Sequence, residues 1–162
     1  MAANTRLVDN YGIEVAAVPV NTTGAAVTAD YYSLKNFNHV TFIIVQGAWA
    51  GGTPAVTLKQ ATAVAGTGEK ALAFDKYWTK TGLTGTTYTE TAVVSSTFNL
   101  TATANTITVI EVDAASLDVS NGFDCVRLDV ASPGANTDLI AVVAILGGAR
   151  YAQALVSDSK VD

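Results

Sequence analysis

Apolar residues fall into short runs along the chain, separated by clusters of Gly, Asn, Asp and Pro, and these runs have the length of strands rather than helices. Residues 13–20 form the first run, closed by Asn21-Thr-Thr-Gly24. Residues 40–45 are almost continuously apolar, which predicts a strand covered on both faces and ended by Gln46-Gly47. Residues 55–60 alternate, with Val56 and Leu58 pointing one way and Thr57 and Lys59 the other. Residues 71–74 and 77–80 are weaker strand candidates. The Thr-rich stretch 86–100 breaks near Ser95-Ser96 and predicts a hairpin or two edge segments.

The later half is cleaner. Residues 107–112 change phase between Val109 and Ile110, predicting a bulge or burial on both sides. Asp113-Ala-Ala-Ser116-Leu117 reads as one helical turn capped by Asp113, and Asn121-Gly122 is a turn signal. Residues 125–130 alternate, with Val126, Leu128 and Val130 inward and Cys125, Arg127 and Asp129 outward. Ser132-Pro-Gly-Ala-Asn136 makes the next turn. Residues 139–146 are apolar throughout and predict a central strand stopped by Gly147-Gly148.

Eight to ten such strands without an amphipathic helix predict an all-β fold: one antiparallel β-sandwich, jelly-roll-like, over residues 13–148. Residues 1–12 and 149–162 fall outside the pattern and are expected to be N- and C-terminal arms. A chain of 162 residues suits one domain. Composition agrees: 20 Val and 22 Thr branch at Cβ and fit a pleated surface, while the 27 Ala seldom fall at helical spacing. With 49% apolar and only 14% charged residues the chain is not disordered, and its surface carries little charge, as expected of a protein packed against neighbours.

Charge narrows the partners. A net charge of −5 argues against nucleic acid. Residues 35–80 carry a balance of +3 and residues 81–147 one of −6; on opposite faces, these would let one copy dock on another, and otherwise they simply solvate exposed strand faces. A lone cysteine allows no internal disulfide, and the first residues lack the basic and apolar regions of a signal peptide. The Asn-x-Thr sequons at Asn21 and Asn99 are therefore expected to stay unglycosylated, no run approaches membrane-spanning length, and synthesis is expected in a host cytoplasm.

No candidate chemistry outweighs its structural alternative. His39, the only histidine, has no Gly-x-Ser-x-Gly elbow to serve and too few partners for zinc. Cys125 lies beside Arg127, which favours a thiolate, but no base accompanies it. Gly66-Thr-Gly68-Glu-Lys-Ala71 matches a dinucleotide fingerprint, yet residues 72–85 cannot sustain the helix that would aim amides at a pyrophosphate, so a loop is expected. Glu111, Asp113, Asp118 and Asp124 are able to collect around one loop for Ca²⁺, without EF-hand spacing; solvated loop acids are the plainer reading. No enzyme, cofactor or resident metal is expected. The aromatic pairs Tyr31-Tyr32 and Tyr77-Trp78, and Trp49 in a Gly-rich turn, serve either core packing or an exposed anchor. Arg6, Tyr11, Trp49, Arg150 and Tyr151 are the expected partner-interface residues, being types favoured at hot spots.

Three stretches resemble small tailed-phage virion proteins encoded near capsid genes. They are Tyr32-Ser-Leu-Lys-Asn-Phe-Asn-His-Val-Thr-Phe-Ile-Ile with Gly47-Ala-Trp-Ala-Gly-Gly52; Val56-Thr-Leu-Lys-Gln-Ala with residues 66–74; and Ile110-Glu-Val-Asp-Ala-Ala-Ser-Leu-Asp118 with Asn121-Gly-Phe-Asp-Cys-Val-Arg127 and Gly147-Gly-Ala-Arg-Tyr151. The resemblance implies a capsid decoration (cement) protein on the virion surface, a homotrimer bound to the major capsid protein, with no membrane and no catalytic residues. The competing expectation is a carbohydrate- or receptor-binding module of a tail or fibre.

Overall fold

A computed structural model describes residues 7–150 of the chain. It contains twelve strands and, of helical structure, only short 3₁₀ turns at Leu7–Asp9, Ala114–Ser116 and Val119–Asn121. The strands are β1 (Gly12–Asn21), β2 (Val27–Thr28), β3 (Tyr32–Ser33), β4 (His39–Trp49), β5 (Ala55–Ala61), β6 (Lys70–Ala71), β7 (Lys76–Thr81), β8 (Thr89–Ala92), β9 (Thr97–Asn99), β10 (Thr106–Asp113), β11 (Cys125–Val130) and β12 (Asp138–Gly147). One antiparallel sheet runs β1-β12-β4-β10-β7-β8. The other runs β2-β11-β5-β6, with β3 on β11 and β9 on β5.

The two sheets form a sandwich because strand residues at every second position turn apolar side chains toward the opposite sheet. On the first sheet the inward rows are Leu146-Val40-Val112 and Ala144-Phe42-Ile110, all but fully buried. The second sheet answers with Val56 and Leu58 of β5 and Val126, Leu128 and Val130 of β11. Aromatic rings bridge the layers: Tyr32 of β3 meets Phe42 at 6.1 Å, and Phe98 of β9 stacks on Tyr77 of β7 at 3.9 Å.

Several sequence expectations are decided at this level, some as stated and some with changes. Residues 86–100 form two edge segments and no hairpin, since β8 pairs with β7 while β9 crosses to β5. β10 has no bulge: Thr106, Thr108, Ile110 and Val112 all face inward in continuous register with β4. The apparent phase change arose because two threonines occupy core positions, Thr106 bonding its hydroxyl to the Thr103 carbonyl at 3.1 Å. The turn after Asp113 exists, but the Asp113 side chain makes no capping hydrogen bond. Asn121-Gly122 is a turn, with Gly122 left-handed at φ 82°.

Residues 125–130 show the expected parity with one correction. Cys125 does share the outward face of Arg127 and Asp129, yet it is fully buried, because Tyr31 and Val64 fold over it. Strand β12 lies centrally in the first sheet, as its continuous apolar run predicts, with β4 beside it. Among the described residues, however, only one face of each is covered.

Candidate assembly surface

The uncovered face of the first sheet is apolar across most of its width. Pairing register fixes which side chains stand side by side, since directly opposed residues project to the same face. Val15 of β1 opposes Val143 of β12, which opposes Ile43 of β4, then Val109 of β10 and Trp78 of β7. On one side of this row run Ile13, Ile145, Thr41 and Glu111. On the other run Ala141, Val45, Ile107 and Lys80. Ile13, Val15, Val45 and Leu139 are 40–59% exposed, and Ile43, Val143 and Ile145 are half-buried.

Across β1, β12 and β4 this face holds no charged side chain. Charges begin on the neighbouring β10, with Glu111 and Asp113 toward its end, and continue with Lys76, Lys80 and Glu90 on β7 and β8. Lys76 pairs with Glu90 at 3.6 Å and lies 5.5 Å from the centre of the Trp78 ring. Lys80 stands 6.0 Å from the centre of the Tyr88 ring.

The outer face of the second sheet has the opposite character. Glu69, from the loop before β6, accepts hydrogen bonds from Lys59 (2.7 Å), Tyr31 (2.7 Å) and Arg127 (2.8 Å). Asp129 takes the remaining sides of Arg127 and Lys59, at 2.9 and 3.3 Å. The Arg127 guanidinium also covers the Tyr31 ring at 4.6 Å. Tyr31 in turn packs on Gly66, whose φ of 80° and lack of a Cβ let the ring approach; an added Cβ would sit 3.1 Å from it. The glycine-rich stretch before β6 is thus a loop that seats Glu69, and its Gly66 backs the Tyr31 ring that helps bury Cys125.

These pairs have a pH consequence. The hydrogen bond from Lys59, then that from Tyr31, holds Glu69 below its ordinary value. Lys70, then Asn121, brings Asp118 down to about 2. A carboxyl whose folded pKa is depressed adds stability that is complete above its unfolded pKa and is lost as pH falls through its folded one. The unfolded values are 4.5 and 3.8, so the melting temperature is expected to fall below pH 4.5 and to keep falling toward about 2. A thermal series in which Glu69→Gln shows the same acid slope as the parent would refute the Glu69 share.

Pairing inside the chain also speaks against the segregated placement of the two charge blocks. Lys35, Lys59, Lys70 and Lys76 of the basic segment meet Asp124, Asp129, Asp118 and Glu90 of the acidic one. The two segments interleave across the fold, and their charges neutralise each other rather than marking opposite docking sides. Among the described residues no three His, Cys, Asp or Glu side chains converge as a metal site requires. Of the four loop acids, Asp118 is tied to Lys70, Ser120 and Asn121, and Asp124 to Lys35 and Cys125.

His39 opens β4 and packs over Gly147, where a Cβ would come within 2.3 Å of its Nε2. The double variant His39→Gln, Cys125→Ser is expected to fold and to keep any assembly function, with about 1–2 kcal/mol lost from placing a hydroxyl in the Cys125 pocket. Loss of binding by a folded double variant would place one of the two in the functional site. A shallow groove of about 460 Å³ lies where β10 ends, with Phe74 and Val93 beside Asp75, Glu111 and Asp113.

The interface residues expected from sequence are scattered. Trp49 is half-buried against the core and donates its indole N–H to the Gly52 carbonyl at 3.2 Å. Tyr11 (39% exposed) and Arg150 lie at the other end of β4, Tyr11 beside Gly147 and Arg150 bonded to Asn36 and Asn38. Arg6 and Tyr151 lie outside the described residues, as do the outer parts of both arms. The apolar face itself escaped sequence reading; its one signal was the double-sided hydrophobicity of residues 40–45 and 139–146.

No protein-family profile matches the chain, and no curated protein sequence matches it. Among solved structures it is similar to the crystal structure of the SPBc2 prophage-derived protein YomS, with 14% identity, a TM-score of 0.48, and 86% of this chain and 94% of that chain covered. A likeness of this size carries no argument about function.

Proposed function

We propose that this protein is a structural component of a tailed-phage virion, a decoration (cement) protein that binds the outside of the head and stabilises its lattice. The observation that carries the reading is the uncharged apolar face of β1, β12 and β4. Contiguous exposed apolar surface is uncommon on proteins that act alone, and covering it gains about 25 cal/mol for each Å² removed from water. The resemblance of residues 32–44 with 47–52, 56–61 with 66–74, and 110–118 with 121–127 and 147–151 to small virion proteins supplies the context. A rigid sandwich engaging the major capsid protein and its own copies gains from repetition, because many weak contacts on one lattice act together.

The carbohydrate-binding alternative needs open aromatic faces in a row. Here Tyr31, Tyr32, Phe37, Phe42 and Phe98 are buried, and the Trp78 and Tyr88 rings each have a lysine ammonium near them. Mass spectrometry of purified virions, and co-sedimentation of the added protein with heads that lack it, test the proposal. Saturable binding at a fixed ratio to the major capsid protein is expected. Recovery only in tails, or only in the unsedimented fraction, would overturn it.

A further inference from the structure

We infer that the apolar face of β1, β12 and β4 is covered by the same face of a second copy, giving a two-fold, sheet-on-sheet dimer. The inference deepens the assembly reading above and rests on it. Edge-to-edge pairing is disfavoured on this side of the sandwich. β1 is the edge strand; Pro19 removes one donor from it, and its register shifts twice, between Val15 and Ala17 and between Ala17 and Val20. Association is therefore directed to the face.

Size fits a second copy. The apolar surface continues from β4 onto β10 through Val109 and Ile107. These four strands from β1 to β10, about 4.8 Å apart, and the seven residues from Leu139 to Ile145, at about 3.3 Å each, outline roughly 450 Å² before side-chain relief is counted, with Glu111 at one corner. Two such faces bury on the order of 1,000 Å² in total, about the threshold for a specific interface and enough for micromolar rather than nanomolar affinity. Shape fits as well, since twisted sheets stack in near-aligned pairs about 10 Å apart. A face that meets itself must do so about a two-fold axis, whereas a three-fold ring needs two different patches. The arrangement thus differs from the trimer that the sequence resemblance implies.

Charge gives the dimer a signature. Each copy carries −5 overall, while the centre of the face carries none. Copies therefore repel at long range and attract only by apolar contact, so added salt strengthens association by screening the repulsion. A partner recognised through opposite charge would be lost under the same change.

Sedimentation velocity of the full chain, at low and at physiological salt, tests this. A dimer with a dissociation constant on the order of micromolar is expected, tighter at the higher salt. Val143→Lys places a charge at the centre of the face twice per dimer; at about 30-fold per copy the loss is on the order of 1,000-fold. Val94→Lys, in the exposed connection between β8 and β9, should leave association unchanged. If the Val143→Lys chain does not fold, Val143→Thr keeps the shape and strand preference and should still weaken the dimer by about 10-fold or more. A wild-type chain that stays monomeric at about 100 times the expected constant overturns the inference. So does a trimer, or a dimer that folded Val143 variants leave intact. Head binding is scored separately: a dimer that ignores heads removes the decoration role and keeps the pairing, and a monomer that binds heads does the reverse.

Discussion

Replacing Phe42 by Ala is expected to remove about 3–5 kcal/mol of stability, while Ile43→Ala, one residue further along the same strand, should cost about 1 kcal/mol or less. Phe42 is fully buried between Ala144 and Ile110 in its own sheet and faces Tyr32 of the other. Truncating it opens a cavity at the centre of the sandwich, where neighbouring strands held by ladders on both sides cannot collapse into the space. Ile43 points the other way and is only half-buried, so truncation there removes surface that water already reaches. Against a typical total of about 5–15 kcal/mol, the first variant should be close to unfolding at 37 °C and the second should not. Urea denaturation at concentrations low enough to keep the chain monomeric gives both numbers. Equal losses at the two positions would show that the outer face is covered within the monomer, and the assembly surface would have to be sought elsewhere.

That contrast also marks how far the sequence could be read. Alternation in residues 125–130 gave β11 at both its ends, because a strand's period of two is a local property, and the apolar run 139–146 placed β12 centrally. What depends on distant segments was less readable. Thr106 and Thr108 look like solvent-facing residues until Thr103 supplies an acceptor for one and β4 a register for both. Cys125 sits on the face that its parity indicates, and only the approach of Tyr31 and Val64 buries it. The Thr-rich 86–100 stretch carries no mark of which sheet each half joins. For the candidate surface, a run such as residues 139–146 announces that both faces avoid water. It is silent on whether the second cover comes from this chain or from another.

Asp138→Ala is expected to destabilise the fold by about 3 kcal/mol, lowering the melting temperature by roughly 6–12 °C in a domain of this size. In sequence Asp138 is the last polar residue of a turn before an apolar run, a position where an exposed aspartate would be unremarked. In the structure it is fully buried at the start of β12, and its carboxylate accepts hydrogen bonds from the backbone amides of Ala50 (2.6 Å) and Gly51 (3.3 Å), just past the end of β4. Its own carbonyl accepts from the amide and hydroxyl of Thr22, at 2.9 and 3.0 Å, where β1 ends. One residue therefore ties together the ends of the three strands that carry the apolar face. Removing the carboxylate leaves two partly buried backbone donors without their acceptor, and it is this unmade bonding, more than the lost volume, that sets the cost. Asp138→Asn keeps an acceptor oxygen and loses only the charge assistance, so its cost should be nearer 1 kcal/mol. The Thr22 bonds run to the main chain and survive in both variants. Thermal unfolding of the pair separates the contributions: equal losses in Ala and Asn would mean that charge matters and geometry does not, and no loss in either would mean that the amides of Ala50 and Gly51 find other acceptors.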